Sequence, residues 1–252
     1  MKKKLFSLAT ALLIICIAVI LSWLLYIGKK SAAPKVSEMT KAAQSAIPRF
    51  KIERIKLFPF TDNSALKEWE EKVFKGRVAY GVEKEDTFSY VHARSQSAAS
   101  ALFYKIKLDT RRMRPVLRWK WKVGKFPEKK SPENLESEVE HDFAGRVYVV
   151  FPTLFLLDSH VLEYIWAEKL PVGSMGTSPY SKNIKLMVLE SGIPEDGGFI
   201  SEERDIVADY AKAFGNPPRL NAGAIAFMTN AEHTASSADG MYDEIEVGYK
   251  EE

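Results

Sequence analysis

Cysteine occurs once in the 252 residues, as Cys16 within an apolar segment, so the rest of the chain holds no disulfide framework, no thiolate metal site and no cysteine nucleophile. The preceding Leu13-Ile14-Ile15 lacks the small residues of a lipoprotein signal, and Cys16 reads as a small apolar side chain in lipid. A charge surplus is missing too. The formal net charge is +3, but Lys2, Lys3 and Lys4 are the only charged side chains before Lys29; without them, 33 basic residues face 33 acidic ones. Capture of nucleic acid needs a clustered basic face, so no nucleic-acid partner is expected. The chain also lacks a G-x-S-x-G elbow, a phosphate-binding loop and an H-E-x-x-H helix; Ser191-Gly192 and Gly173-Ser174-Met175-Gly176 read as turns.

What is present begins with residues 5–27, a run of 23 residues without charge. At about 1.5 Å per residue such a helix crosses a hydrocarbon core of about 30 Å. It exceeds the apolar core of a cleaved signal peptide, although Ser31-Ala32-Ala33 would be a tolerable cleavage site. The lysines on its N-terminal side outnumber Lys29 and Lys30, which keeps that side cytoplasmic. The expected organisation is a cytoplasmic flank (1–4), a transmembrane signal anchor (5–27), a tether (28–50) bounded by Pro34 and Pro48, and one domain (51–252). The anchor would place the protein in the inner (plasma) membrane as a single-pass protein, its C-terminal domain periplasmic or extracellular. A short helix is expected over 38–46.

With 46% hydrophobic and 12% aromatic residues, the domain can bury a proper core. Its pattern has period two. Leu117, Trp119, Trp121 and Val123 alternate with Arg118, Lys120 and Lys122; Val147, Val149 and Phe151 oppose Arg146 and Tyr148; Leu102, Tyr104, Ile106 and Leu108 share a face. Further strands are expected over 87–94, 184–190, 222–229 and around Ile245 and Val247. Seven or more short strands with one or two short helices predict a mainly β fold, a jelly-roll-like sandwich of two antiparallel sheets. One helix is expected from Ser201 or Glu202 to Gly215, and the polar stretch 124–141 is long enough to be a lid or binding loop.

At His141-Asp142-Phe143-Ala144-Gly145-Arg146-Val147-Tyr148-Val149-Val150-Phe151 the sequence resembles the bacterial domain of unknown function 3047, DUF3047. The likeness continues through Glu203-Arg204-Asp205-Ile206, Asp209-Tyr210, Phe214-Gly215, Pro218, Ala224-Ile225-Ala226-Phe227-Met228-Thr229 and Tyr242-Asp243-Glu244-Ile245, and upstream through 95–102 and Leu117 to Trp121, roughly residues 55 to 250 in all. His141, Glu232-His233 and Glu244 depart from the family's aspartates. The resemblance implies a secreted or membrane-anchored β-rich domain and no established activity. The last strand also looks like that of jelly-roll carbohydrate-binding modules, an analogy of fold.

Candidate ligand-binding residues are Arg118, Asp142, Arg146 and Tyr148, whose guanidinium forks and phenol would line a groove for carboxylate, phosphate or sugar hydroxyls if their strands lie side by side, together with Arg204 and Asp205. The bland reading is a set of ion pairs bracing a sheet. Tyr164 and Trp166 are expected to be exposed and able to stack on sugar rings, whereas Trp119 and Trp121 are expected in the core. His141-Asp142 and Glu232-His233 offer metal ligands only as two adjacent pairs, whose members would point to opposite faces of a strand; convergence would need loops, and neither a metal nor a cofactor is expected. Neither His92 nor His160 has a partner in sequence, and His92 reads as a half-buried strand residue. Glu244 and Glu246 at i and i+2 resemble a glycosidase pair, but a third acid two positions on is lacking, where Gly248 stands, and solvated acids on an outer strand are the much stronger reading. The expected function is a membrane-anchored extracytoplasmic binding domain for glycan or another cell-envelope component. The alternatives are a hydrolase of envelope polysaccharide acting through Asp142, Glu244 and Glu246, and a protein–protein interaction domain.

Overall fold

The chain divides into two units between Pro48 and Arg49. The computed structural model describes residues 50–153 and 158–251, all within the second unit. The expected anchor at 5–27, the helix at 38–46 and nearly all of the tether lie outside the described residues. Among the described residues no helix is long and apolar enough to cross a membrane.

Thirteen strands are described: β1 (Ile52–Phe58), β2 (Glu70–Lys75), β3 (Ala79–Glu85), β4 (Phe88–Gln96), β5 (Ala99–Leu108), β6 (Pro115–Lys125), β7 (Gly145–Phe151), β8 (His160–Ala167), β9 (Met175–Thr177), β10 (Ile184–Ser191), β11 (Ile200–Asp205), β12 (Ala222–Met228) and β13 (Ser237–Lys250). One α-helix, α1 (Ile206–Phe214), follows β11. The strands form two sheets. The first runs β11-β6-β13-β4-β3, with β1 pairing the C-terminal half of β13; the second runs β2-β5-β12-β7-β8-β10-β9. The fold is the expected mainly β, two-sheet sandwich, with one departure. β8 and β10 pair in parallel, so the second sheet is mixed. A parallel pair needs a crossover, and β9 with its flanking turns supplies it by pairing antiparallel to β10 on the outer edge.

The alternating strands bury their apolar faces between the sheets. Leu117, Trp119, Trp121 and Val123 of β6 are 0–3% exposed, and Val147, Val149 and Phe151 of β7 at most 2%. Trp121 meets Trp166 with ring centres 5.4 Å apart, and Trp119 meets Tyr164 at 5.3 Å. Tyr164 and Trp166 are thus core residues, fully buried, and the expectation of exposed stacking platforms is corrected. The error lay in taking the Gly/Ser-rich turn after β8 as a guide to the strand itself. The Trp166 indole N–H donates to the Gly192 carbonyl at 2.7 Å, which satisfies its one polar atom.

Two further expectations change. Residues 200–205 are strand, not helix: β11 pairs with β6 from Ile200↔Trp121 to Asp205↔Val116, and α1 starts only after Asp205, whose side chain caps it by accepting from the Ala208 N–H. The acids at 202 and 203 resemble a helical first turn, yet pairing with a long central strand overrides that local preference. Gly215 ends the helix in the left-handed conformation at φ 78°, as expected. In β13 the alternation breaks. The register shifts between Asp243 and Glu246, and Glu244 takes φ 46°, a bulge that removes the simple i, i+2 relation of Glu244 to Glu246.

The sheets approach closely where β13 passes the start of β7. A Cβ at Gly240 would lie 2.3 Å from both the Ala144 carbonyl and the Thr229 hydroxyl, so only glycine fits. Two residues on, the fully buried Tyr242 hydroxyl donates to the Met228 carbonyl at 2.6 Å and accepts the Arg146 N–H at 3.2 Å, tying the first sheet to the second beneath the candidate site.

Candidate functional site

The stretch 124–141, expected as a lid or binding loop, gives its first two residues to the end of β6, and residues 126–144 close over the outer face of the second sheet and are held there. Leu135 and Phe143 pack with Ile165, Ala167, Leu186 and Val188 of β8 and β10 in a second, smaller apolar cluster. Glu133 accepts from the backbone N–H groups of Glu168, Lys169 and Leu170, and from the buried Lys129 ammonium at 2.7 Å. That ammonium lies 4.0 Å from the centre of the Phe143 ring. Glu140 accepts the N–H groups of Lys130 and Ser131, which closes the loop on itself. At Glu140 the backbone turns through φ 56°, a costly conformation for a non-glycine residue, and delivers His141 and Asp142 inward.

The cover reaches only the β8–β10 side. At its margin Arg146 and Tyr148 of β7 and Glu163 of β8 project from the same outer face, beside the small Ala226 of β12. Arg146, 6% exposed, donates through Nε to Glu163 Oε1 at 2.5 Å and through Nη1 to Asn230 Oδ1 at 2.8 Å. Asn230 passes the connection on, its amide donating to Asp142 Oδ1 at 2.7 Å and to Glu232 Oε2 at 2.9 Å. Asp142, fully buried, also accepts the Thr234 N–H at 2.7 Å and hydroxyl at 2.8 Å. His233 Nδ1 sits 3.1 Å from Glu232 and 3.3 Å from Asp142, and its Nε2 meets the Tyr180 hydroxyl at 2.9 Å. A continuous polar chain thus runs from a buried ion pair to Tyr180, whose ring is half exposed.

The electrostatics follow from burial. Desolvation opposes ionisation of Asp142, but its hydrogen bonds with Glu232 and Thr234 and the His233 charge outweigh it and hold that carboxyl below the ordinary carboxylate range. Desolvation and the neighbouring Asp142 push Glu232 up, opposite in direction to Asp142. Desolvation also raises Glu163 against the pull of Arg146. His141, 1% exposed, is driven down to about 3 by burial and by the charges of Arg146, Lys129 and His233. Its ring lies edge-on between Phe143 and Tyr180, at 5.3 and 5.5 Å, and neither ring nitrogen has a hydrogen-bond partner.

Asp142, Glu232 and His233 bring ligand atoms within 4.8 Å of one another. The expectation that the two pairs would diverge assumed strands; they lie in loops, where the alternation rule does not apply, and three of the four converge. As they stand these atoms are engaged with Asn230, Thr234 and His233, so a cation would have to displace those contacts.

The sequence candidates separate. Asp142, Arg146 and Tyr148 come together. Arg118 does not join them, because β6 and β7 lie in different sheets. On the outer face of the first sheet Arg118 donates through Nε to Glu203 at 2.6 Å and through Nη1 to Glu246 at 3.2 Å, while Lys120 pairs with Glu244 at 2.7 Å. Arg204 is held by Asp209, Nη2 to Oδ1 at 2.6 Å, and the Tyr164 hydroxyl donates to the same carboxylate at 3.0 Å. Asp205 caps α1 and pairs with Arg114. Asp142 lies in the loop against the second sheet and Glu244 and Glu246 lie on β13 of the first, so the carboxylates of the hydrolase reading do not converge. His92 is 8% exposed, with Nδ1 2.9 Å from Glu83, and His160 Nδ1 meets the Tyr210 hydroxyl at 2.6 Å. Sequence reasoning missed Glu163, Tyr180 and Asn230. A glutamate within the otherwise apolar run Val161 to Trp166 was the one available signal, since a buried acid demands a partner.

The family described as "Protein of unknown function (DUF3047)" matches residues 67–246. No curated protein matches the sequence. Among solved structures, the chain is similar to the family 11 carbohydrate-binding module of a cellulosomal cellulase of Clostridium thermocellum, at 8% identity and a TM-score of 0.42, over 81% of this chain and 98% of that one. It is also similar to the xyloglucanase domain of NopAA, a type three effector from Sinorhizobium fredii, in complex with cellobiose, at 9% identity and a TM-score of 0.42, over 72% and 93%. These likenesses are remote, and the sandwich assignment stands on the sheet topology itself.

Proposed function

The chain belongs to the DUF3047 family, and on that premise we propose that its domain is a glycan-binding module of the cell envelope, jelly-roll-like in architecture and held at the inner membrane, on the extracytoplasmic side, by residues 5–27. The observation that carries the reading is Tyr180. It is an exposed ring whose hydroxyl is fixed by His233 and which packs perpendicular to the buried His141, at the outer end of a network of acid, amide and guanidinium groups. Sugar recognition uses that combination, an aromatic face for the C–H side of the ring and pre-set polar groups for its hydroxyls. Tyr148, half-buried on the open side of Arg146, supplies a second ring on the same face. The pre-set network keeps the ordering cost of binding low. The membrane placement rests on the length of the apolar run and its lysine flank.

The test is a glycan array followed by thermal shift on the full chain. A bound glycan at about 100 times its Kd stabilises the protein by about 2.7 kcal/mol. Tyr180→Ala, an exposed substitution, is expected to abolish the shift while leaving the unliganded Tm within a degree or two. A hit whose affinity is unchanged in both Tyr180→Ala and Tyr148→Ala, or an array without hits, sinks the reading. An alkaline phosphatase fused to the C-terminus reads the topology: activity is expected, and an inactive fusion contradicts it.

A further inference from the structure

At one end of the sandwich the turn 109–114, between β5 and β6, faces the segment 215–221, between α1 and β12. An open cavity of about 510 Å³ lies there, lined by Arg111, Arg112, Arg114 and Arg219 together with Val207 and Pro217. The two segments are fixed to each other and to the sheet. The Thr110 hydroxyl, on a residue only 4% exposed, donates to the Leu220 carbonyl at 2.5 Å. Asp109 Oδ1 accepts the N–H groups of Arg111 and Arg112, and the Asp109 N–H donates to the Tyr249 hydroxyl at 2.8 Å.

The charge here is unbalanced. Arg114 is committed to Asp205, Nε to Oδ2 at 3.0 Å. Arg111, Arg112 and Arg219 are exposed and make no ion pair among the described residues. Four arginines therefore line a cavity flanked by two carboxylates, Asp109 and Asp205, in a body whose basic and acidic residues balance as a whole. Like charges gathered without counter-charges are a cost in the free protein, and an anion seated among them removes it.

We propose that this cavity is a binding site for a phosphate ester group. A guanidinium fork matches phosphate oxygens two at a time, and a doubly charged tetrahedral anion can engage three forks from different directions, which a flat, singly charged carboxylate cannot. The cavity is much larger than phosphate, and Val207 and Pro217 offer the remainder of the ligand an apolar wall. The phosphate is therefore one carried on a larger molecule, either a soluble phosphorylated compound or a lipid headgroup. The site is separate from the Tyr180 face and does not depend on the glycan reading.

The experiment uses the full chain in a neutral detergent at low ionic strength, titrated in one arm with glycerol 1-phosphate and in the other with micelles doped with phosphatidic acid, both of them phosphate monoesters. Binding is followed by thermal shift and ³¹P line broadening. Saturable binding in the first arm assigns a soluble source; binding in the second alone assigns a lipid source. In either case Arg111→Gln/Arg219→Gln is expected to weaken binding at least tenfold with a Tm in the absence of ligand no lower than the parent's, Lys72→Gln to leave binding unaltered, and added salt to weaken it steeply. Absence of binding in both arms, or equal binding by the double arginine variant, overturns the proposal. Tyr180→Ala is expected to bind phosphate like the parent, so the two sites fail independently.

Discussion

The outer faces of the two sheets carry the same chemical types and use them differently. On the first sheet Arg118, Glu203 and Glu246, with side chains 11–19% exposed, form an ion-pair lattice that opens to water at its rim, where the Arg54 side chain is 58% exposed. On the second, residues 126–144 cover the margin of the face and leave Arg146 and Glu163 with side-chain exposures of only 7% and 3%. Charges that keep their hydration gain little from pairing. Charges that have lost it must be paired and hydrogen-bonded throughout, which is why Arg146 reaches Glu163, Asn230 and the His141 carbonyl at once. A one-sided covering loop therefore separates a bracing lattice from a pre-organised site.

Substitutions can break that contrast, beginning with the largest effect. Arg146→Ala leaves Glu163 and Asn230 buried without their partner and is expected to cost about 3–5 kcal/mol, read as the urea midpoint. A loss below about 1 kcal/mol would mean that water enters the cluster.

Next is His141. Its unfolded-state value is near 6.5 and its folded value about 3, so the unfolded chain binds the extra proton and stability falls as pH drops through 6.5 toward 3. His141→Phe preserves the packing against Phe143 and Tyr180 and removes the titration. It is expected to be more stable than the parent at pH 5 by about 2 kcal/mol relative to the difference at pH 7.5, measured by denaturation at both values.

Arg118→Ala, on the water-accessible face, is expected to cost about 1 kcal/mol, and Arg54→Ala less than about 0.5 kcal/mol, with both losses shrinking in 1 M salt. If Arg118→Ala matched Arg146→Ala, the distinction between the two faces would fail.

Much of the fold was legible because strands advertise themselves by alternation. Leu117 to Val123 and Val147 to Phe151 point inward as their period requires. Alternation says which side of a strand is buried first, but not whether the other side is also covered. The period placed Arg146 and Tyr148 on an outer face correctly, and nothing in it announced that residues 126–144 would bury Arg146 there. The same limit explains Tyr164 and Trp166, whose core position follows from facing Trp119 and Trp121 across the sandwich. Glu202 and Glu203 looked like a helix start because a run of acids is a local signal, while the pairing of β11 with β6 joins residues some 80 positions apart.

The sequence by itself determined the balance of charge, the strand faces, the single cysteine and the one apolar run, since each depends on neighbours along the chain. The tertiary structure alone decided which charges meet. Arg219 joins Arg111 and Arg112, and Tyr180 joins His233 and Asp142, only after strands distant in sequence are set in register. The reason is physical: Coulomb and hydrogen-bond energies depend on separation in space and on burial, and a composition in which 33 basic residues cancel 33 acidic ones carries no record of either.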